Sequence, residues 1–230
     1  MVRSSNRRFW SVVIFILLIS SVGIRAYRDL SRPEAWSYWK ESYLSPRMTS
    51  ALIPNANFGG LGHGRRALAV SGEIGAASAN WFRNKLEEAH LAAGDIVLLS
   101  SPGGELNQAA IMGEIIRSLG LATAVGVADA SGRVRPAYCA SACVLVYAGG
   151  KTRYGVEGSM LGVHQFEATT PMRDPVAATQ RVAGQLLSYM TRMGVSSTVV
   201  EAMSRTSEMR WLGTKEALAM NLITDPLRAP

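Results

Sequence analysis

Residues 139–166 read CASACVLVYAGGKTRYGVEGSMLGVHQF and carry the strongest structural signal in the chain. The first part predicts a helix that begins near Ser141, and KTRYGV and SMLGVHQF predict two short strands after it. His164 lies near the end of the second strand, 23 residues after Ser141. A hydroxyl at a helix start and an imidazole at a strand end are groups that acyl transfer can use as nucleophile and base.

Strands and helices alternate ahead of this segment. From Arg66 onward, ALAVSGEI predicts a strand, ANWFRNKLEEAHLAAG a helix that stops at Gly94, and DIVLLSS a buried strand. The next helix, ELNQAAIMGEIIRSLG, ends at Gly120 and precedes the strand ATAVGVA. We expect the apolar face of that helix to consist of Leu106, Ala110, Ile111, Ile115 and Leu119.

The remainder of the chain is predicted to be helical. Residues 214–220 form a last short helix, and residues 176–193 place one apolar stripe on a longer one, made of Val182, Leu186, Met190 and Met193. Alternating strands and helices indicate βαβ units. The predicted fold class is therefore α/β, with repeated βαβ units, a mainly parallel sheet and a C-terminal helical region.

The net charge of +7 comes from the N-terminal region alone. Residues 1–66 contain ten Lys or Arg and three Asp or Glu, so residues 67–230 are neutral overall. A groove for DNA or RNA is expected to carry its basic residues in the folded domain, whereas basic residues beside an apolar segment favour anionic lipid headgroups. Nucleic acid is therefore not predicted as a partner.

Residues 9–24 form an apolar run without a charge, which follows Arg3, Arg7 and Arg8. Such a run is typical of a signal peptide or a short membrane anchor. As a helix it would span about 24 Å, slightly less than the roughly 30 Å hydrocarbon core of a bilayer. No good small-x-small cleavage site follows it, which favours an uncleaved anchor.

The sequence therefore predicts a single-pass protein of the inner membrane, attached through residues 9–24, with its domain on the exported, periplasmic side. The alternative is secretion to the periplasm after cleavage. We predict an anchor or signal segment over residues 1–26, a juxtamembrane linker over 27–66, and one folded domain over 67–230.

The two cysteines, Cys139 and Cys143, lie four residues apart. On one helix, this spacing places the Cβ atoms about 5–6 Å apart, whereas a disulfide needs roughly 3.5–4.5 Å. We therefore expect two reduced, buried packing residues. No metal site is predicted, because the sequence has no second cluster of cysteine and histidine.

Backbone donors accompany the hydroxyl and the imidazole. The sequence SPGG at 101–104 ends a strand, and its paired glycines leave the N–H groups of Gly103 and Gly104 open to an oxyanion or an extended peptide. The first helical turn after Ser141 offers further N–H groups. Taken singly, each feature has an ordinary structural explanation: a helix cap, a strand-to-helix turn and a core histidine.

Together, SSPGG at 100–104, CASAC at 139–143 and VHQF at 163–166 resemble the motifs of the ClpP-like serine peptidases within the ClpP/crotonase superfamily. The order and the spacing fit that family over roughly residues 67–225. The resemblance implies a ClpP/crotonase-like fold and no cofactor. It further implies that Ser141 is the nucleophile and His164 the general base. Gly104 and Ala142 would then be the two oxyanion donors, through their backbone N–H groups.

The resemblance is weakest at the third catalytic position. The family usually has an aspartate just before the aromatic–Leu pair that stands here at 211–212, but this chain has the sequence SEMR. Glu208 is the nearest acid and can orient an imidazole. The alternative is a solvated Glu208 paired with Arg205 or Arg210. Asp174 is a weaker substitute.

The leading functional hypothesis is a serine peptidase that acts through an acyl-enzyme on extended polypeptide, with the substrate added as a strand beside the Gly-Gly segment. By the resemblance, we also expect a homo-oligomer. One alternative is a catalytically degenerate domain that binds peptide or a partner protein. Another is a crotonase-like acyl-CoA enzyme, which shares the fold but does not need the Ser–His pair.

Overall fold

The computed structural model describes residues 3–43, 46–59, 64–165 and 174–227. The chain divides into two compact units, Met1–Ser45 and Pro46–Pro230. The first unit contains the helices α1 (Arg3–Leu30) and α2 (Pro33–Tyr43). Within α1, Phe9–Leu30 is long and apolar enough to cross a membrane, a property that signal sequences share. The helix thus continues past the predicted run of residues 9–24.

The second unit contains six helices and eleven strands among its described residues. The helices are α3 (Ser78–Ala89), α4 (Leu106–Ser118), α5 (Cys143–Ala148), α6 (Pro175–Arg192), α7 (Thr198–Ser204) and α8 (Thr214–Ala219). The strands are β1 (Met48–Ala56), β2 (Arg65–Gly72), β3 (Ile96–Ser100), β4 (Ala122–Val125), β5 (Val127–Ala128), β6 (Val134–Arg135), β7 (Tyr138–Ala140), β8 (Arg153–Val156), β9 (Met160–Val163), β10 (Arg210–Leu212) and β11 (Asp225–Leu227).

The central sheet has six strands in the order β1-β2-β3-β4-β8-β11. Every neighbouring pair is parallel except β1–β2, which is antiparallel. The apolar run of β3 is buried on both faces, as strands covered on both sides usually are: Val97 and Leu99 belong to the larger core and Ile96 and Leu98 to a smaller one. The predicted fold class is confirmed.

Five strands lie in regions where none was predicted, namely β1, β6, β7, β10 and β11. β1 pairs with β2 along the edge of the sheet although it lies within the range 27–66 that was predicted as a linker, and the compact unit begins at Pro46. β10 lies in the C-terminal part that was predicted to be helical, and it pairs antiparallel with β9. Each strand is short or half-exposed, so its apolar pattern is weak.

The buried face of α4 agrees only in part with the predicted one, since Leu106, Ala110 and Ile115 are partly buried and pack against the core. Ile111 and Leu119 were expected in the core but are 40% and 48% exposed. The buried residues are instead Ala109, Met112, Gly113 and Ile116. A side chain at Gly113 would collide with the carbonyl oxygen of Leu145 in α5, so α4 packs closely on α5 through its small residues. The stripe predicted on α6 is largely confirmed, because Leu186, Met190 and Met193 are buried.

Candidate active site

A second sheet, with the strand order β10-β9-β7, brings the candidate nucleophile and base together. β7 and β9 are parallel neighbours, with Ala140 opposite Gly162. The carboxyl ends of parallel neighbours lie side by side, at a strand separation of about 4.8 Å. Ser141 follows β7 and His164 follows β9, and the Nε2 atom of His164 lies 2.8 Å from the Oγ atom of Ser141. That distance suits proton transfer from the hydroxyl.

The backbone of Ser141 has an unusual conformation. Its φ angle is +55°, in the left-handed region that residues with a side chain rarely adopt. The Ser141 N–H donates to the carbonyl of Gly162, which ties the turn to β9. Because this conformation costs about 1–2 kcal/mol for a residue with a Cβ atom, the surrounding structure must impose it. The sharp turn between β7 and α5 directs a half-buried hydroxyl toward the imidazole.

Gly103 fits against this turn because it has no side chain. A Cβ atom there would lie 2.6 Å from the carbonyl oxygen of Ala140 and 2.8 Å from the Cβ atom of Ser141, and the φ angle of Gly103 is +98°. Its N–H donates to the Oγ atom of buried Ser101 at 3.1 Å. Gly103 therefore shapes the site while its own N–H is already occupied.

The other two predicted donors differ from Gly103. Within the described ranges, no hydrogen-bond acceptor pairs with the N–H of Gly104 or with that of Ala142, the residue that caps α5. Gly104 lies beside Ile74, whose carbonyl accepts from Glu105 instead. Two free N–H groups near a serine hydroxyl form the kind of donor set that stabilises an oxyanion.

Ser101 also contributes to the site, although the sequence analysis predicted roles only for its neighbours Gly103 and Gly104. Its N–H donates to the carbonyl of Tyr138, and its carbonyl accepts from Ala140. These two bonds join the end of β3 to β7, the strand that precedes the nucleophile. The serine in SPGG is thus a structural link between the glycine turn and the Ser141 turn.

The prediction of reduced cysteines is wrong. Cys139 and Cys143 form a disulfide, with their Cα atoms 5.3 Å apart. The prediction placed both residues on one helix, but Cys139 lies in β7 and Cys143 begins α5. The turn at Ser141 brings the end of the strand back toward the helix start, within the Cα separation of about 4.4–6.8 Å that disulfides require.

The candidate acids do not contact the imidazole in the described part of the chain. Glu208 is exposed, and its carboxylate has no hydrogen bond or ion pair with any described residue, while Arg205 and Arg210 pair with Glu201 and Glu216. Asp174 caps α6 by accepting from the N–H of Ala177. Among the described residues, Ser141 is hydrogen-bonded to His164, whereas Glu208 and Asp174 are not.

These features define the class of fold and site: an α/β fold with a mostly parallel sheet, in which a serine at a strand-to-helix turn meets a histidine at the end of the neighbouring strand. The described residues include no group of three or more His, Cys, Asp or Glu that could bind a metal ion. The arrangement offers a hydroxyl, an imidazole and free backbone donors, which are the groups that acyl transfer uses.

Solved structures share this fold. ClpP1 from Listeria monocytogenes superposes with a TM-score of 0.55 at 14% sequence identity, over 71% of this chain and 92% of that chain. A point mutant of the same protein gives a TM-score of 0.55 and 14% identity, over 70% of this chain and 91% of that chain. No protein-family model and no curated protein sequence matches the chain.

Proposed function

We propose that the protein is a serine hydrolase of the peptidase type, with Ser141 as nucleophile and His164 as general base. The observation that carries this proposal is the 2.8 Å contact between the Oγ atom of Ser141 and the Nε2 atom of His164. The imidazole takes the hydroxyl proton as Oγ attacks a carbonyl carbon, and it returns that proton to the leaving amine. Water then hydrolyses the acyl-enzyme.

The N–H groups of Gly104 and Ala142 would hold the oxyanion that forms during each attack. Both lack an acceptor among the described residues, and donors that are already in place need no reorganisation as the charge develops. Gly103 supports the turn rather than donating, because its N–H is bound to Ser101.

Extended polypeptide is the proposed substrate. The Gly103–Gly104 segment is narrow and lacks side chains, so a substrate strand can approach its backbone closely. Ile74 already pairs with one side of this segment, through its N–H to Gly103. The substrate strand would therefore lie along the other side, next to Ser141. We also propose that the protein forms a homo-oligomer, as the likeness to ClpP-like peptidases implies.

The proposed location is the membrane, with the folded unit on the exported, periplasmic side. The helix Phe9–Leu30 supports attachment or export, and the disulfide supports an oxidising compartment, because cytosolic thiols are normally kept reduced. Glu208 remains our candidate for orienting the imidazole, and segment 206–209 would have to rearrange for its carboxylate to reach the ring.

A second function is a ClpP-like domain that binds peptide or a partner without turnover. The observation in its favour is that no described carboxylate is hydrogen-bonded to His164. A serine–histidine pair without an orienting acid is a weaker catalyst, because the ring is less firmly held in its reactive tautomer.

Turnover of an unfolded polypeptide distinguishes the two functions. The full chain in detergent is incubated with denatured casein in H₂¹⁸O, and new C-termini that carry ¹⁸O are counted by mass spectrometry. We expect cleavage by the wild type and a loss of at least about 10³-fold in Ser141→Ala and in His164→Gln. The double variant should be little worse than either, because the two residues act as one unit.

Ser118→Ala and His90→Gln are matched controls, because both side chains are exposed and lie outside the site. They should retain wild-type turnover. Cleavage that persists in Ser141→Ala would refute the assignment of the nucleophile. A folded wild type that binds casein with no turnover would favour the binding function.

A further inference from the structure

A disulfide encloses the candidate nucleophile. Cys139 is the central residue of β7, Cys143 is the first residue of α5, and both are 0% exposed. They are the only two cysteines in the sequence. The covalent ring therefore consists of the five residues 139–143, with Ser141 at its centre.

The conformation of Ser141 requires such support. A residue with a side chain at a φ angle of +55° is less stable than in an ordinary turn and persists only where its surroundings hold it. Hydrogen bonds hold the turn at two points, from Ser141 N–H to Gly162 and from Val144 N–H to Ser141. The disulfide adds a covalent restraint, which removes open conformations of residues 139–143.

We propose that Cys139 and Cys143 are positioning residues, whose disulfide holds Ser141 in the left-handed conformation that places its Oγ atom against His164. The hydrolytic site is then assembled in the oxidised protein and disordered in the reduced one. This inference rests on the proposed function, since it concerns how the same nucleophile is held. Both cysteines are 0% exposed, so neither sulfur atom is open to a substrate.

Reduction provides the chemical means of opening the ring. A dithiol breaks the S–S bond, each cysteine sulfur gains one hydrogen, and the dithiol is oxidised to its cyclic disulfide. Residues 139–143 can then relax toward ordinary φ angles, which moves Oγ away from Nε2. A displacement of about 1 Å at a reacting atom can cost roughly 10²-fold in rate.

This dependence would restrict hydrolysis to an oxidising compartment. Disulfides form and persist outside the cytosol and are reduced within it. A chain that has not yet been exported would hold Ser141 in an unassembled site, so its hydrolytic activity would begin only after the folded unit reached the oxidising side of a membrane.

The test compares oxidised and reduced protein by the rate at which a fluorophosphonate labels Ser141. The full chain in detergent is treated with dithiothreitol until alkylation modifies both thiols, as shown by mass spectrometry of the 139–143 peptide. We expect the labelling rate constant to fall by about 10²-fold. Reoxidation should restore the original rate.

The variant Cys139→Ala/Cys143→Ala should show the low rate with and without dithiothreitol, which controls for effects of the reductant on the probe. A second readout follows the position of the imidazole itself: the ¹⁵N resonance of His164, assigned by its absence in His164→Gln. We expect this resonance to shift on reduction while that of His90 stays constant. A role limited to global stability would change the unfolding midpoint and leave the His164 resonance of the folded protein unchanged.

Equal labelling rates in oxidised and reduced folded protein, or an unchanged His164 resonance, would overturn the inference and leave the proposed function standing. If oxidised wild type is not labelled at all, the proposed function fails, and the His164 resonance alone decides whether the disulfide positions the turn. If the double alanine variant does not fold, the comparison of reduced and oxidised wild type decides.

Discussion

Two polar regions of the folded unit use their hydrogen-bonding groups in opposite ways. Arg153 in β8 is 2% exposed, and its guanidinium donates to four backbone carbonyls, those of Gly150, Met193, Asn221 and Leu222. Around Ser141, by contrast, the N–H groups of Gly104 and Ala142 have no acceptor in the described ranges. Buried polar groups in proteins are normally paired, and Ala142 is buried whereas Gly104 is exposed. Under the proposed function, a ligand would complete the hydrogen bonds of both N–H groups.

The difference separates a structural role from the proposed catalytic one. Burial, and then the charge of Arg117, lower the pKa of Arg153 to about 10, so the guanidinium is still a cation at neutral pH. Its charge is compensated by carbonyl dipoles that belong to α6 and to the C-terminal segments. Arg153 thus holds three parts of the chain together and, at 2% exposure, is closed to a substrate.

The largest effect is expected from removing this buried cation. Arg153→Met removes a donor from four carbonyls, of which, among the described residues, only that of Met193 keeps another, from Arg117, and should lower the free energy of unfolding by about 4 kcal/mol. The labelling rate of Ser141 in the protein that remains folded should not change. Denaturant unfolding in detergent measures the loss. Arg192→Met is the matched control, because Arg192 is exposed and paired with Glu114, and it should cost about 1 kcal/mol or less.

At Gly103, unlike at Arg153, we expect the substitution to change the labelling rate of Ser141. In Gly103→Ala the new Cβ atom would collide with Ala140 and Ser141, so the labelling rate should fall by about 10²-fold. Gly94→Ala is the matched control, since Gly94 has a similar φ angle of +91° and nothing within 4 Å of an added Cβ atom. Equal labelling rates in the two variants would show that Gly103 does not shape the nucleophile turn.

A smaller effect is expected from the candidate acid. Glu208→Gln should lower kcat/KM by about 10-fold if the carboxylate reaches the imidazole during turnover, because an orienting group contributes less than the reacting ones. The control is Glu201→Gln, whose carboxylate pairs with Arg205. Full activity in Glu208→Gln would remove this residue from the site and leave a Ser–His dyad.

The smallest effect is expected at Asp129, a partly exposed carboxylate whose hydrogen bonds are already satisfied. The side-chain hydrogen bond from Ser131, with backbone N–H donors, lowers the pKa of Asp129 from 3.8 to about 2. A depressed folded pKa means that the stabilisation is present above 3.8 and lost as the pH falls to about 2. The difference in unfolding midpoint between wild type and Asp129→Asn should therefore shrink over that interval. A difference that stays constant down to pH 2 would contradict this assignment.

The alternation of strands and helices was enough to predict the parallel sheet, because β3 and β4 are apolar and each follows a helix, although α3 ends at Ala89 and not at the predicted Gly94. The face of α4 was not predictable in this way. Both faces of that helix carry apolar residues, and close approach to α5 selects the one with Ala109 and Gly113, although the other holds larger side chains. Hydrophobic periodicity identifies the helix face with the most apolar surface, whereas the face that packs closely against another helix is selected by small side-chain size.

At the candidate site, too, only part of the structure could be predicted from the sequence. The order of the motifs predicted that Ser141 and His164 belong together, and their contact at 2.8 Å agrees with that expectation. The disulfide was missed because the sequence does not reveal that β7 ends at Ala140 and that Ser141 turns the chain. A prediction about two cysteines four residues apart depends entirely on whether one helix contains both.

The central claim is that His164 activates Ser141 for attack on a carbonyl. Fluorophosphonate labelling of the oxidised full chain, followed by mass spectrometry of the modified peptide, tests it most directly. The account predicts one adduct, on Ser141, with a labelling rate that falls by about 10³-fold or more in His164→Gln and is unchanged in His90→Gln. An intact, folded wild type in which Ser141 resists the probe, or one labelled equally fast without His164, would contradict it.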